Sequence, residues 1–307
     1  MPIEETLRTV FRGAGAEGRL HARAIDGDED EGPGDTAGAG CDADEPVVLA
    51  SVFKVLLVLE FARQAVAGHL DPRERIRITA EHRLGGWGTA GCLDDVELSL
   101  RDLAHFAMSV SDNTAADLLL DRVGRDTPGL LAKELGLMET RIVGGPRQVL
   151  ESMLADVGAR DEREFATVFP TLPADEVHRL AALDPRRTNS STPREMTRLL
   201  RMIWRDAAGP PQACAQVRLL MSRQVFRHRL AAGFGDGVRV SAKTGTLPGL
   251  HNEVGVAEYP DGGRYAVAVF ARTPGLAANS TGTDVAIGTA ARAAVEFLRS
   301  TASPRPS

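Results

Sequence analysis

The stretch Pro46-Val-Val-Leu-Ala-Ser-Val-Phe-Lys54 predicts a short strand, residues 46–49, that passes directly into a helix over residues 51–67. The serine and the lysine stand three residues apart, so they lie on one face at the start of that helix. A serine hydroxyl is a weak nucleophile, and a lysine can serve as its base when burial or a second cation lowers the lysine pKa. Ser51 and Lys54 are therefore a candidate nucleophile and base, although a serine helix cap followed by a surface lysine explains the same residues.

A second polar motif, Ser111-Asp-Asn113, falls between predicted helices at residues 99–108 and 114–123. A serine hydroxyl in this loop can pass a proton, and an asparagine amide can bind an amide of a substrate. Serine, aspartate and asparagine also favour helix caps, so the motif alone does not decide between the two interpretations.

A third motif, Lys243-Thr-Gly-Thr246, ends a predicted strand over residues 237–243. Lysine and threonine side chains at this position can hold a carboxylate. Gly245 allows a substrate backbone to approach closely, because glycine carries no side chain. A polar strand end that turns at a glycine is the alternative.

The order of predicted elements indicates one α/β (α+β) domain over residues 1–307. An amphipathic helix (3–12) and a strand (19–25) begin the chain, and strands at 237–243, 251–259 and 264–271 and a helix at 283–299 end it. Between them the periodicity is mostly helical, at residues 51–67, 99–108, 114–123, 129–136, 147–157, 193–205 and 212–222. We therefore predict an antiparallel sheet from both chain ends flanked by the terminal helices, plus an all-helical lobe.

The predicted α/β lobe comprises residues 1–50 and 225–307, and the predicted helical lobe comprises residues 51–224. We expect the functional site in the cleft between the two lobes. Residues 26–46 contain nine acidic residues and no lysine or arginine, so we predict a mobile loop there between two strands.

The composition argues against several classes of function. A net charge of −6 does not suggest a protein that binds nucleic acid. The three cysteines form no C-x-x-C pair, and no H-E-x-x-H occurs, so we expect no metal site. We also expect no cofactor, because Gly13-Ala-Gly-Ala-Glu-Gly18 follows a helix and precedes a strand, the reverse of a dinucleotide site.

The first residues lack the basic and apolar segments of a signal peptide, so we expect a cytoplasmic protein, or a secreted one if a leader has been omitted. Charged residues interrupt the apolar stretch at residues 52–66, which favours a buried helix over a membrane span. The expected partner is a small-molecule substrate, and we expect a monomer that binds neither membrane nor nucleic acid.

Taken together, the three motifs resemble those of the active-site serine β-lactamase and penicillin-binding protein family, and the chain is most similar to the class A β-lactamases. The order S-x-x-K, S-D-N and K-T-G is that of the family, and so is the sixty-residue step from Ser51 to Ser111. Ser190-Ser-Thr-Pro-Arg-Glu-Met196 resembles the start of the helix that follows the family's omega loop. The resemblance covers residues 3–299.

The resemblance implies a role for each motif residue. Ser51 attacks the substrate carbonyl and forms an acyl-enzyme, and Lys54 accepts its proton. Ser111 relays a proton to the leaving nitrogen, and Asn113 binds the substrate's side-chain amide. The substrate carboxylate is held by Lys243, Thr244 and Thr246, and the oxyanion hole is formed by the N–H groups of Ser51 and Thr246.

Two further residues resemble family positions less closely. Trp87 is similar to an aromatic gate at the mouth of the cleft, although it can equally belong to the core of the helical lobe. Arg229, fourteen residues before Lys243, stands where some class A enzymes keep a second carboxylate-binding arginine, although it can equally be a solvated surface charge.

The pattern departs from class A in the omega loop, where the E-x-x-L-N run carrying the deacylating glutamate is absent. Counting back from Ser190 leads to Glu176, for which a charge on a helix surface is the better explanation. The extra length between Ser111 and Ser190, nearly thirty residues, falls around residues 146–188.

These residues predict a serine hydrolase that is acylated by a β-lactam and hydrolyses its amide bond. Two alternatives stay open. One is a D-Ala-D-Ala-type peptidase or esterase on the same scaffold with slow β-lactam turnover. The other is a non-catalytic penicillin-binding receptor.

Overall fold

Strands from both ends of the chain form one five-stranded antiparallel sheet. The computed structural model describes residues 2–27, 38–85, 87–277 and 280–301. Within them the strands are β1 Glu17–Ala24, β2 Ala39–Cys41, β3 Val47–Val48, β4 Arg75–Ile78, β5 Val96–Ser99, β6 Ser190–Ser191, β7 Arg239–Leu247, β8 Leu250–Glu258 and β9 Arg264–Arg272. The large sheet has the order β2-β1-β9-β8-β7, which confirms the predicted sheet.

Helices fill the chain between β3 and β7 and occur at both termini. In chain order they are α1 Ile3–Gly13, α2 Lys54–Val66, α3 Leu100–Ser109, α4 Asn113–Val123, α5 Thr127–Glu134, α6 Pro146–Val157, α7 Glu162–Val168, α8 Ala174–Val177, α9 Pro193–Trp204, α10 Pro211–Ser222, α11 Leu230–Gly233 and α12 Thr281–Thr301. Every helix predicted from the periodicity overlaps one of these helices.

The alternation along β9 shows why the sheet is buried on both faces. Ala266, Ala268 and Phe270 belong to a core shared with α2, α9 and α10, whereas Val267 and Val269 belong to a second core formed with α1 and α12. Successive strand residues point to opposite faces, so one apolar run supplies both cores. The predicted packing of the terminal helices on the sheet is confirmed.

Helix α9 links the sheet to the helices of the chain's middle part. It lies within residues 51–224, which the sequence assigns to the helical lobe, yet it packs against β1 and β9. The division of the chain into two lobes therefore stays a prediction.

The predicted loop at residues 26–46 is wrong at its C-terminal end. Ala39–Cys41 forms β2, which pairs with β1 through Leu20–Cys41 and Ala22–Ala39. Three residues are too few for an alternating pattern to be recognised in the sequence. Residues 28–37, the rest of the predicted loop, lie outside the described residues.

A small sheet formed by β4 and β5 was not predicted from the sequence. Its strands carry exposed charges on one face, and the side chains of Arg77 and Asp95 form an ion pair of 3.0 Å. Both strands alternate polar and apolar residues, but each spans only four residues, the shortest run from which such alternation predicts a strand.

Candidate active site

Ser51 lies in a one-turn 3-10 helix, Ala50–Phe53, that leads from β3 into α2. Ala50 has a φ of +47°, and this left-handed conformation costs an alanine about 1 kcal/mol. Two contacts hold the turn: the Asn252 amide donates to the carbonyl of Val48 at 2.9 Å, and the Leu49 N–H donates to the carbonyl of Asn189 at 2.9 Å. The predicted start of a helix at Ser51 is confirmed, and the Ser51 side chain lines the cavities described below.

Lys54 is completely buried at the first position of α2. Its Nζ donates to the Ser111 carbonyl and to Asn113 Oδ1, each at 2.8 Å. Burial lowers the pKa of Lys54 to about 7, against the opposing attraction of Asp112 and Asp117. Within the described residues, Ser51 makes no direct hydrogen bond to Lys54. The structure thus provides a lysine that gives up its proton near neutrality, and its action on Ser51 stays a prediction.

The Ser111 hydroxyl lies between two buried lysines. Lys243 Nζ donates to Ser111 Oγ at 3.0 Å, and Lys54 Nζ lies 3.4 Å from the same oxygen. Burial and the neighbouring Lys54 hold the pKa of Lys243 well below its ordinary value. Ser111 itself has a φ of +61°, which turns the chain sharply between α3 and α4. The three motifs meet at this hydroxyl.

Asp112, the middle residue of the second motif, has a structural part that sequence reasoning missed. Its carboxylate caps α4 by accepting the Ala115 N–H at 3.0 Å. It also accepts the Thr89 N–H at 2.6 Å, which ties the segment carrying Trp87 to the Ser111 loop. The helix-cap interpretation is therefore confirmed for Asp112, and the functional interpretation of Ser111 and Asn113 stays a prediction.

Gly245 is required by packing inside the protein. A Cβ atom at this position would lie 2.6 Å from the Leu49 carbonyl oxygen and 3.3 Å from Ala50 Cβ. That Gly245 admits a substrate backbone stays a prediction; within the protein, the missing side chain lets β7 lie directly against the Ser51 turn. Close packing at this point places the end of β7 beside Ser51.

Thr244 and Thr246 differ in what they can offer a ligand. The Thr244 hydroxyl donates to Gln224 Oε1 at 3.1 Å, so its proton is engaged within the protein. Thr246 is exposed, and its Oγ1 accepts from Arg229 Nη2 at 3.1 Å, which leaves its proton for a ligand. Of the two threonines, Thr246 is therefore the one whose hydroxyl proton is available to a ligand.

Arg229 is buried, with only 2% of its surface exposed, so its interpretation as a solvated surface charge is wrong. Its Nε donates to Asp284 Oδ1 at 2.7 Å, and its Nη1 donates to the Asn252 carbonyl at 2.9 Å. With Nη2 on Thr246, the guanidinium joins the ends of β7 and β8 beneath the site.

Trp87 is 63% exposed, so its interpretation as lobe core is wrong. It lines a cavity of about 190 Å³ together with Ser51, Ser111, Asn113, Phe226, His228, Arg229, Thr244 and Thr246. We call this the polar cavity. Its lining contains the residues predicted for acylation and carboxylate binding, with the exceptions of the buried Lys54 and Lys243.

A second cavity of about 250 Å³ also contains Ser51, Asn113 and Thr246. We call it the apolar cavity, because most of its remaining lining is hydrocarbon: Phe53, Leu84, Pro146, Val149, Leu150, Met153 and Leu247. Four of these residues come from one face of α6, at the spacing of an amphipathic helix. The cavity lies between that helix and the nucleophile.

Residues 146–188, the segment that departs from the family pattern, form α6, α7 and α8. Asn189 fastens the two ends of the segment together, because its Oδ1 accepts the Val143 N–H at 2.7 Å and its Nδ2 donates to the Gly144 carbonyl at 2.8 Å. Glu176 is exposed on α8 and does not line either cavity. The structure therefore does not bring Glu176 together with the motif residues.

Glu162, the first residue of α7, is the carboxylate that lines the apolar cavity. Sequence reasoning missed it, because Glu162 stands in an acidic, surface-like run, Asp161-Glu-Arg-Glu164, with no neighbouring motif.

The described residues contain no cluster of histidine, cysteine, aspartate and glutamate suited to a metal ion. Cys41, Cys92 and Cys214 are free thiols. None of the helices in the described ranges has both the length and the apolarity needed to cross a bilayer.

Comparison with known proteins supports the likeness of fold. The chain is 29% identical over 276 residues to the β-lactamase regulatory protein BlaB of Streptomyces cacaoi, covering 85% of this chain and 88% of that protein. The β-lactamase of Sphaerobacter thermophilus superposes with a TM-score of 0.73 at 24% identity, covering 98% of both chains. The structure of PBP-A superposes with a TM-score of 0.74 at 18% identity, covering 97% of this chain and 96% of that one.

The family comparison covers nearly the whole sequence. The sequence model described as the beta-lactamase enzyme family matches residues 2–298, which include every motif residue named above. This protein therefore belongs to the beta-lactamase enzyme family.

Proposed function

We propose that the protein is a serine hydrolase of the β-lactamase type, acylated at Ser51 by a β-lactam or a related amide or ester that carries a carboxylate. One observation carries the proposal: the Ser111 hydroxyl lies between Lys54 and Lys243, beside a cavity lined by Ser51. Two buried amines around one hydroxyl form a path along which a proton can move.

Acylation begins when the neutral amine of Lys54 takes the proton of the Ser51 hydroxyl. The Ser51 oxygen attacks the substrate carbonyl carbon, and the N–H groups of Ser51 and Thr246 stabilise the resulting oxyanion. Collapse of this intermediate breaks the carbon–nitrogen bond. The proton returns from Lys54 through the Ser111 hydroxyl to the leaving nitrogen, so that charge and protons balance.

The substrate carboxylate is held in the polar cavity. Lys243 supplies positive charge and Thr246 supplies a hydroxyl proton, supported from below by Arg229. Thr244 contributes by fixing the strand, since its hydroxyl is engaged with Gln224. Bidentate recognition by two donors orients the scissile bond toward Ser51.

The acyl substituent of the substrate occupies the apolar cavity. Asn113 lies at the border of the two cavities, where its amide meets the substrate's side-chain amide. Beyond it, Val149, Leu150 and Met153 offer hydrocarbon surface, so burying an aromatic or aliphatic group there is favourable. The favoured substrates therefore pair a carboxylate with an apolar acyl group.

Release of the acyl group is slow in this proposal. Deacylation requires a base that activates water beside the ester carbonyl. In the described lining of the apolar cavity, Glu162 is the acidic residue available. The face of α6 that lines the cavity across from Ser51 is apolar. We assign water activation to Glu162.

A second candidate function is that of a penicillin-binding receptor in which the acyl-enzyme itself is the signal. The apolar wall of α6 favours it, because a dry environment protects the ester from water. The Streptomyces relative bears the name of a regulatory protein, which is the function this candidate implies.

An intact-mass time course with benzylpenicillin tests the proposal. The wild-type chain is expected to gain one penicillin mass, and Ser51→Ala is expected to gain none. Absence of a wild-type adduct contradicts acylation. Nitrocefin turnover separates the two candidates: sustained hydrolysis favours the hydrolase, and one equivalent without further turnover favours the receptor.

The variants Glu162→Gln and Glu176→Gln form a matched pair for the deacylation step. Both remove one exposed carboxylate, but Glu162 lines the apolar cavity and Glu176 does not. We expect Glu162→Gln to prolong the life of the adduct and Glu176→Gln to leave it unchanged. Equal lifetimes in wild type and both variants remove Glu162 from the mechanism.

A further inference from the structure

A buried carboxylate stands behind the carboxylate-binding motif. Glu253 on β8 pairs across the sheet with Thr244 and has no exposed surface. Its Oε2 accepts the Leu230 N–H at 2.5 Å, and its Oε1 accepts from Gln224 Nε2 at 2.7 Å. Both carboxylate oxygens therefore face N–H donors, an arrangement that favours the ionised form.

Glu253 determines which way the Gln224 amide points. Because Nε2 of Gln224 donates to Glu253, the Gln224 oxygen is directed at Thr244, where it accepts the backbone N–H at 2.6 Å and the hydroxyl at 3.1 Å. The chain Glu253–Gln224–Thr244 thus fixes the strand segment that carries Lys243. A glutamine at position 253 can present a donor to Gln224, which would disturb this chain.

Charge couples the same carboxylate to Lys243. Lys243 is fully buried, and the charges of Lys54, across the Ser111 hydroxyl, and of Arg229 disfavour its protonated form. Glu253 is the neighbour that favours it, and Lys243 in turn favours the ionised form of Glu253. Burial raises the pKa of Glu253 to about 7. The charge of each side chain stabilises the charged form of the other.

We propose that Glu253 is a positioning residue for the substrate carboxylate: through Gln224 it fixes Thr244 and the strand segment that carries Lys243, and its buried carboxylate lies on the strand paired with that segment. It touches no substrate and lines neither cavity. This inference rests on the proposed acylation of Ser51. It adds that recognition of an anionic substrate depends on a buried anion one layer behind the binding site.

The test compares two acylating probes on the full chain. Benzylpenicillin carries a carboxylate, whereas p-nitrophenyl acetate carries none. The ratio of their second-order acylation rate constants cancels effects on Ser51 and Lys54, which act on both probes. Removing the hydrogen-bonded charge in Glu253→Gln is expected to lower this ratio on the order of tenfold at neutral pH.

The pH dependence of the ratio distinguishes positioning from general structural support. In the wild type the ratio is expected to fall as pH rises and Lys243 loses its proton. Without the anion of Glu253, Lys243 loses its proton at lower pH. The fall of the rate-constant ratio on the alkaline side, which we call the alkaline limb, is therefore expected at lower pH in Glu253→Gln than in the wild type. A substitution that only loosens the fold changes both probes and does not move the limb.

Glu253→Asp provides a second variant, which keeps the charge but withdraws it by one methylene. We expect Glu253→Asp to shift the alkaline limb to lower pH by a smaller amount than Glu253→Gln does. If Glu253→Gln does not fold, Glu253→Asp alone tests the inference. An alkaline limb that stays in place in every folded variant overturns the inference while leaving acylation intact. A wild type that neither probe acylates overturns the proposed function and this inference together.

Discussion

The polar and apolar cavities lie on two sides of the same nucleophile and are built in different ways. The polar cavity is bounded by residues of three separated motifs, which long-range contacts bring to one hydroxyl, that of Ser111. The apolar cavity is bounded mainly by one helix, α6, and by the loop ends near Asn189. The first contains the groups that the proposed function assigns to acylation, and the second is lined mainly by hydrocarbon.

This difference separates the two halves of the reaction. In the proposed function, capture of a substrate depends on two buried lysines whose pKa values are lowered by burial. Release depends on water reaching an ester beside an apolar wall. A chain can therefore conserve the first and lose or alter the second, since the two are supplied by different segments. The following experiments test that separation.

The largest effect is expected from Lys54→Met, which removes the base of the acylation step. Loss of general-base catalysis is expected to slow acylation of Ser51 about 10³-fold for every substrate. In the wild type, acylation should accelerate as pH rises through about 7, because burial lowers the pKa of Lys54 to about 7 and only the free amine accepts a proton. Stopped-flow acylation with benzylpenicillin measures both.

Lys133→Met is the matched control for that variant, because Lys133 is exposed on α5 and lines neither cavity. It should match the wild type at each pH. Equal rates in Lys54→Met and Lys133→Met would remove Lys54 from the mechanism and leave the polar cavity as a binding site alone.

A smaller effect, on selectivity, is expected from Leu150→Asn in the apolar cavity. A phenyl group transferred from water to hydrocarbon gains about 1.5–3 kcal/mol, so a polar wall should lower acylation by benzylpenicillin about tenfold relative to 6-aminopenicillanic acid, which lacks the acyl group. Leu130→Asn, on the exposed face of α5, is the control. An unchanged ratio would mean that the substituent lies outside this cavity.

The charges of the polar side should also make stability depend on pH. Burial raises the pKa of Asp117 to about 6 and that of Glu253 to about 7, so their contribution to the free energy of unfolding falls as pH rises from about 4.5 to 7. Burial lowers the pKa of Lys54 to about 7, so its contribution rises as pH increases from about 7 to 10. These groups together place a minimum of stability near neutral pH.

Urea unfolding at acid, neutral and alkaline pH measures this minimum, which should be on the order of a few kcal/mol deep at most. Lys54→Met should flatten the rise on the alkaline side. A free energy of unfolding with its maximum at neutral pH in both proteins would contradict the assignment of these buried charges.

The smallest effect is expected from Trp87→Ala at the rim of the polar cavity. An exposed side chain contributes little to stability, so Tm should change by no more than about 2 °C, while acylation by benzylpenicillin should slow about twofold to threefold. Differential scanning calorimetry and the mass assay measure the two. A large fall in Tm would indicate that the Trp87 side chain packs in the core of the protein.

The sequence predicted the large sheet and the motif residues because each rests on a local signal. Alternating and helical periodicities locate the elements, and Ser51, Ser111 and Lys243 belong to short motifs of recognisable spacing. The burial of Arg229 and the packing role of Gly245 depend on contacts with residues distant in the chain, such as Asp284 and Leu49. No local pattern records such contacts.

The segment between Ser111 and Ser190 illustrates the same limit. The apolar stripe of α6, Pro146, Val149, Leu150 and Met153, is visible in the sequence as an amphipathic helix. The tertiary fold decides which part of the protein this apolar face contacts, so the apolar cavity could not be predicted. Counting residues back from Ser190 led to Glu176, because a count assumes that the segment keeps its family length.

The hydrogen bonds of Asn189 have a consequence for how such a protein can evolve. Since Asn189 fastens residues 143 and 144 to the end of the segment, the interior of the segment can be lengthened, shortened or exchanged as a cassette while the nucleophile keeps its place. Lengthening a loop whose ends are already joined adds little entropic cost. Descendants of one ancestor could in this way diverge into sensors with long-lived adducts and enzymes with rapid turnover, by replacing a single insert.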